Sequence, residues 1–195
     1  MIRIFPLIFI LLWSSAFITT KPIIDNSDPF SALAFRFFFV AVGFYLFSVY
    51  SKQSIIIKKK NLVESVLSGV LFHGFYLGGV FYSISIGMPT GIAALIVTLQ
   101  PVLTNALSGP ILGEKVTLKQ WIGVLLGFIG AALVLGFDIG SEIPLLGLVA
   151  TIVALVAITT STIWQKKLSN NLPLSVSNFY QALGGCLFHI LVIIF

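Results

Sequence analysis

Residues 91–137 read GIAALIVTLQPVLTNALSGPIL, then GEKVTL, then KQWIGVLLGFIGAALVLGF. The outer pieces, 91–112 and 119–137, are apolar runs of the length a helix needs to cross a bilayer, about 20 residues. Glu114 and Lys115 sit in the short connection between them, and Lys119 opens the second run. Two such runs joined by a charged turn predict an antiparallel pair of membrane helices. The pattern continues in both directions, with runs at 4–20, 30–49 and 62–86 upstream and at 144–165 and 173–195 downstream. The reading is an all-α, polytopic transmembrane helix bundle with seven spans.

The charges between the runs alternate. Arg3, then Lys52, Lys58, Lys59 and Lys60, then Lys115 and Lys119, then Lys166 and Lys167 fall on the N-terminus and every second connection; these are nine of the eleven basic residues. The other connections hold Lys21 with Asp25, Asp28, Asp138 and Glu142. Lys and Arg collect in cytoplasmic loops, so the N-terminus is expected on the cytoplasmic side of a multi-pass protein of the cell membrane.

Composition agrees. The chain is 58% hydrophobic and 9% charged, with mean hydropathy +1.10, whereas a soluble domain carries about 25% charge. The net charge of +5 is a topology signal on short loops, so no nucleic-acid partner is expected. Cys186 is the single cysteine, which excludes a disulfide framework within the chain and a thiolate metal site. No cofactor and no metal are expected. Arg3, an apolar core and Ser14-Ser15-Ala16 imitate a signal peptide. The run continues through Phe17 and Ile18, however, and Trp13 ill suits a small-residue cleavage site, so the segment reads as the first span.

Sliding the chain against itself by 144 residues places Pro29 on Pro173, Ser31 on Ser175, Phe35 on Phe179, Phe44 on Phe188 and Leu11 on Leu155. Spans 1 and 2 then fall on spans 6 and 7. A unit of five spans has an odd number, so its second copy is inverted, as in many secondary transporters. This predicts a complete unit at 1–137 and a partial one at 144–195, with about three further helices expected after Phe195 by the same repeat logic. Such a piece would lack one wall of its cavity and be inactive in transport by itself.

The junction Leu112-Gly113-Glu114-Lys115-Val116-Thr117-Leu118-Lys119-Gln120-Trp121-Ile122-Gly123, followed by Gly127 and Gly130, fits the pattern G-E-x-x-T-x-x-Q-x-x-G. With Trp13-Ser14-Ser15-Ala16-Phe17, Asp28-Pro29, Arg36 and Pro101, the chain resembles the drug/metabolite transporter superfamily built from EamA domains. The resemblance covers the whole chain. It implies ten spans in two inverted repeats in a bacterial or archaeal cytoplasmic membrane. One departure matters: the related small multidrug resistance proteins carry a glutamate in span 1, and no acid lies mid-span here. That weighs against antiport of their type.

Candidate substrate-cavity residues are Trp13, Ser14, Arg36, His73, Tyr76, Thr98, Pro101 and Asn105. Arg36 is the one basic residue deep in a span and is either a partner for an anionic group near the outer mouth or a structural residue reaching toward Asp25 or Asp28. His73, like His189, is a membrane histidine that relays protons or bonds a neighbouring helix. Thr98, Pro101 and Asn105 recur at i, i+3, i+7 and share one helical face. Pro101 cannot donate to the Val97 carbonyl and should kink the helix, leaving a polar notch. Glu114 reads as a structural fastener at the start of span 5. Gly74/Gly78, Gly109/Gly113 and Gly123/Gly127 read as close-packing pairs.

The chain lacks GxxxxGK[ST], G-x-S-x-G and H-E-x-x-H, and has no mid-span acid pair, so neither ATP-driven transport nor intramembrane catalysis is expected. The function read from these features is a secondary transporter that moves small metabolites or amino acids outward by alternating access. The expected partners are a small-molecule substrate and the lipid bilayer, with a proton as the candidate coupling ion and a homo-oligomer as a candidate assembly. The alternative is a non-transporting membrane scaffold, which would show no saturable ligand.

Overall fold

The computed structural model describes residues 4–113, 116–135, 142–168 and 172–195. Each apolar run forms a helix, and no strand occurs among the described residues. In chain order the helices are α1 (Phe5–Asn26), α2 (Pro29–Tyr50), α3 (Lys59–Ser85), α4 (Thr90–Leu112), α5 (Leu118–Leu135), α6 (Leu145–Leu168) and α7 (Leu174–Ile194). Of these, α2, α3, α4, α6 and α7 are long and apolar enough to cross a membrane. The apolar part of α5 is shorter, Leu118–Gly130. Helix α1 runs past the expected end at Thr20 to Asn26, with Lys21 and Asp25 paired at 3.2 Å across one turn. Phe35, Leu46, Leu126 and Leu133 are each more than half exposed. An apolar exterior of this extent belongs against lipid.

Local chemistry sets several helix ends. Asp28 caps α2 by accepting from the Ser31 N–H at 2.7 Å, and Pro29 sits in the first turn, where its missing N–H costs nothing. Gly113 ends α4 in the left-handed region at φ +71°, a conformation that glycine adopts freely. Thr117 and Gln120 form a capping box at the start of α5. The Thr117 N–H donates to Gln120 Oε1 at 2.8 Å, and the Gln120 N–H donates to Thr117 Oγ1 at 3.3 Å. Glu114 lies outside the described residues, so the fastening visible at this junction is the T-x-x-Q pair.

Helix α3 is the hub. One apolar cluster, with Tyr76, Val80, Ile84, Met88, Ala93 and Ile158, joins it to α4 and α6. Another, with Leu33, Phe37, Phe81, Ala182 and Cys186, joins it to α2 and α7. Helices α3 and α7 run parallel, since Gly69 faces Gln181 and Gly78 faces His189. Helices α2 and α7 run antiparallel, with Tyr45 against Phe179 and Cys186 against the Ala34 carbonyl. Glycine permits these approaches: a Cβ at Gly79 would stand 3.0 Å from the Ala150 carbonyl oxygen. Between Val70 and Gly78 the helix is π-wound, and the His73 carbonyl there pairs with His189 Nε2 at 2.9 Å.

The helix ends sort the charges. Ser175 donates to Gln53, and Tyr180 donates its hydroxyl to the Ile55 carbonyl at 2.9 Å, so the 51–58 connection covers the start of α7. Lys52, Lys58, Lys59 and Lys60 therefore share an end with Lys166. At the opposite end Pro144 and Met88 meet around Gly147, bringing the connection that holds Glu142 beside the α3–α4 turn.

A hydrogen-bonded polar seam ties α3, α6 and α7 together. Ser161 donates to the Ser68 carbonyl at 3.0 Å, Gln165 Nε2 donates to Gln181 Oε1 at 2.8 Å, and Gln181 Nε2 donates to Ser177 Oγ at 3.0 Å. Gln181 is only 3% exposed, so Gln181→Leu would strand the buried Ser177 hydroxyl and remove the nearer partner of the half-buried Gln165 amide. A loss of about 1–3 kcal/mol is expected for leaving such groups unpaired, measured by thermal unfolding in detergent. An unchanged melting temperature would show that the seam contributes nothing.

Candidate substrate cavity

Helix α4 breaks in the middle. Its halves, Thr90–Val97 and Gln100–Leu112, meet at Thr98 and Leu99, where the Leu99 N–H closes a tighter turn on the Ile96 carbonyl at 3.1 Å. The cause is Pro101, which cannot donate to the Val97 carbonyl and sits in the first turn of the second half. Beside the break lies a cavity of about 720 Å³, a volume suited to a small organic ligand. Helix α4 lines it with Thr98, Gln100, Pro101 and Asn105, α5 with Gln120, Gly123, Gly127 and Phe128, α6 with Ile158 and Thr162, and α3 with Phe72.

The polar groups differ in how far they are engaged. Thr98 donates to the Leu95 carbonyl at 2.6 Å, and Thr162 to the Ile158 carbonyl at 2.7 Å. Gln100 Nε2 reaches Thr104 Oγ1 at 3.0 Å and Thr162 Oγ1 at 3.4 Å. The half-buried amide of Asn105 makes no hydrogen bond among the described residues. Asn105 also lines a second cavity of about 240 Å³, together with Gln120 and Thr162. That space is lined further by Thr104, Ser108 and Lys166, so it lies between the larger cavity and the basic end of the bundle, and the two share Asn105, Gln120 and Thr162.

The structure brings Thr98, Pro101 and Asn105 together at this cavity. It does not bring the other described candidates there. Tyr76 is buried at 3% exposure and meets the Phe72 ring edge-on at 5.4 Å, within the core beside the cavity. His73 packs on Phe37 at 4.3 Å between ring centroids and pairs through its carbonyl with His189. Arg36 is exposed, its guanidinium carbon 5.7 Å from the Phe37 ring, and it makes no ion pair among the described residues. Asp25 and Asp28 are engaged by Lys21 and by the α2 cap instead. The side chains of Trp13 and Ser14 lie outside those described.

One correction concerns glycine. Gly74 and Gly78 do pack closely, against Phe188 and His189. Gly123 and Gly127 do not: a Cβ built on either meets nothing within 4 Å, and both line the cavity. Gly113 is likewise open and serves the α4 terminus. Sequence reasoning also missed Phe72 and Thr162, which have no motif, while Gln120 was visible only as part of a pattern.

A helical membrane bundle with a cavity of ligand size beside a broken helix is the plan of secondary transporters. Residues 2–136 match the EamA-like transporter family, and the chain belongs to that family. It is 32% identical over 106 residues to the uncharacterized transporter YvbV of Bacillus subtilis, an alignment covering 54% of this chain and 33% of that protein. It is 25% identical over 166 residues to a probable amino-acid metabolite efflux pump of Escherichia coli, covering 85% of this chain and 53% of the pump. An uncharacterized transporter of Archaeoglobus fulgidus is 25% identical over 179 residues, covering 89% of this chain and 60% of that protein. The chain thus spans between a third and three fifths of the length of these relatives.

Proposed function

We propose that the chain carries the substrate pathway of a secondary transporter that exports small metabolites or amino acids across the cytoplasmic membrane by alternating access. The observation that carries this reading is the Asn105 amide, without a partner among the described residues and half-buried where two cavities share it beside the break in α4. A polar group placed there within the membrane has no lipid partner and is offered to a ligand. Similarity to the Escherichia coli protein, a probable amino-acid metabolite efflux pump, supports outward movement. On this reading α1–α5 form one repeat and α6–α7 open an inverted second. Thr162 and Ile158 on α6 then face Asn105 and Thr98 across the repeat boundary, and rocking of α6 against α4 and α5 opens and closes the cavity. Proton coupling, if carried by His73, acts through the winding of α3, because His73 is not part of the cavity wall.

The test is efflux from cells expressing the protein from its intact reading frame. Saturable, protein-dependent loss of a metabolite is expected. A protein that inserts and folds but moves nothing saturably would support the scaffold reading. The proposed orientation has its own measurement. Cysteines at Gln53 and Asn26 should label from the cytoplasmic and the outer face respectively, since the basic ends face the cytoplasm. Labelling of the Asn26→Cys variant from the cytoplasm alone would overturn this topology.

A further inference from the structure

Helix α3 keeps one face on α7 from Val66 to Gly78. Val66 meets Gly184, Gly69 meets Gln181, His73 meets Gly185, Gly74 meets Phe188 and Gly78 meets His189. An α-helix cannot present all of these on one face. Gly69 and Gly78 stand nine positions apart, about 2.5 turns at 3.6 residues per turn, so α winding would point them in opposite directions. The π winding of Val70–Gly78 removes the conflict. A π turn closes on i+5 in place of i+4 and takes up an extra residue, which brings Gly74 and Gly78 round to the face of Gly69.

One side chain bonds into this widened stretch. His189 is fully buried, and its Nε2 lies 2.9 Å from the His73 carbonyl oxygen. A carbonyl only accepts, so Nε2 carries a proton and donates. Rings enclose the imidazole: Phe37 stacks on it at 6.0 Å between centroids, with Phe30 at 5.9 Å and Phe188 at 5.5 Å. Away from water such a bond is strengthened, and its loss leaves a carbonyl that is costly to strand. Gly78 makes the place for the ring, since a Cβ there would stand 3.0 Å from Cε1 of His189.

The same stretch carries Phe72, the residue by which α3 lines the larger cavity. Its ring meets those of His73 and Tyr76 edge-on, at 5.1 Å and 5.4 Å. Rewound as α-helix, the stretch would turn its two ends out of their present phase by about one residue, or 100°. Phe72 lies between those ends and would turn from the cavity.

We propose that His189 is a positioning residue of the transport cavity: its bond to the His73 carbonyl latches α3 in the π winding, and that winding holds Phe72 at the cavity wall. The proposal rests on the reading of this cavity as the transport pathway. His189 does not line the cavity itself and acts through Phe72.

The experiment uses the protein, expressed from its intact reading frame, in lipid nanodiscs. Nitroxide labels replace Lys60 and Ser85, both exposed and near the two ends of α3, and double electron–electron resonance reads their separation. In a second set, Phe72→Cys is modified with 2-(trimethylammonium)ethyl methanethiosulfonate, a water-borne thiol reagent, and mass spectrometry follows the rate. Circular dichroism checks that each variant folds. His189→Phe keeps a ring and loses the donor. In it a second label separation, longer by about 1.5 Å or more, the rise of one α-helical residue, is expected to gain about three- to tenfold in population, and modification of the introduced thiol is expected to slow by a like factor. His189→Gln places an amide nitrogen where Nε2 stands and is expected to restore both readings. If His189→Phe does not fold, Gly78→Ala is read in its place, since its methyl group presses on the imidazole, with shifts in the same direction expected. Wild-type separations in the folded variants would overturn the latch. A changed separation with an unchanged rate of modification would overturn the positioning role and leave the transport reading standing. An introduced thiol that is unreactive with His189 intact would show the cavity closed to water, and the transport reading would fall with the positioning role.

Discussion

Asn105→Leu is expected to reduce transport by at least about tenfold at equal protein level, the equivalent of losing about 1.4 kcal/mol of ligand binding. Leucine nearly matches asparagine in size but has no donor or acceptor. Each hydrogen bond of the amide to a ligand contributes about 0.5–1.5 kcal/mol net, so loss of two or three accounts for the effect. Folding should be spared, because the amide has no partner among the described residues and removing it strands no other group. The measurement is efflux from cells with membrane protein quantified by immunoblot, alongside a melting curve of the purified variant. Wild-type transport by the leucine variant would remove Asn105 from the pathway.

Gly69→Leu is expected to have the largest effect on stability. A Cβ at Gly69 would fall 2.6 Å from the carbonyl carbon of Gln181 and even closer to its oxygen. The obstacle is backbone, which cannot rotate aside as a side chain does, so α3 and α7 must separate. Separation also pulls His189 Nε2 from the His73 carbonyl, which it meets at 2.9 Å between the same two helices. Overpacking costs about 1–3 kcal/mol in a core that can adjust. Here a loss of at least about 3 kcal/mol is expected, or about 6–12 °C in melting temperature for a chain of this size. Gly123→Ala is the control. Its methyl group meets nothing within 4 Å, so the change should be neutral or stabilising by up to about 1 kcal/mol through helix propensity. Equal melting temperatures for the two variants would refute the tight α3–α7 contact.

The glycine pairs Gly74/Gly78 and Gly123/Gly127 mark where sequence reasoning stopped. A GxxxG spacing states that two small residues share a helix face. It does not state what stands opposite, and Gly74/Gly78 and Gly123/Gly127 look alike in sequence. Only the placement of α7 against α3, and of open volume against α5, separates a packing pair from a cavity wall. Tyr76 and His73 lie off this cavity for a related reason. Both are mid-span polar groups, and the choice between bundle interior and cavity depends on which neighbour arrives. Phe72 and Thr162 were invisible because a cavity wall needs no signature when its groups come from separate helices.

By itself the sequence determined that this is a multi-pass helical membrane protein, and where α4 must break. Those follow from properties of single residues and their neighbours: hydropathy, the placement of Lys and Arg, and the missing N–H of Pro101. The α5 cap was likewise written locally, in Thr117 and Gln120. Only the tertiary structure decided which glycines are filled, which polar side chains bond one another across the seam and which, like Asn105, have no partner among the described residues. Those depend on distances between residues far apart in the chain, such as Gly69 and Gln181 or Gln100 and Thr162, and no local pattern encodes them.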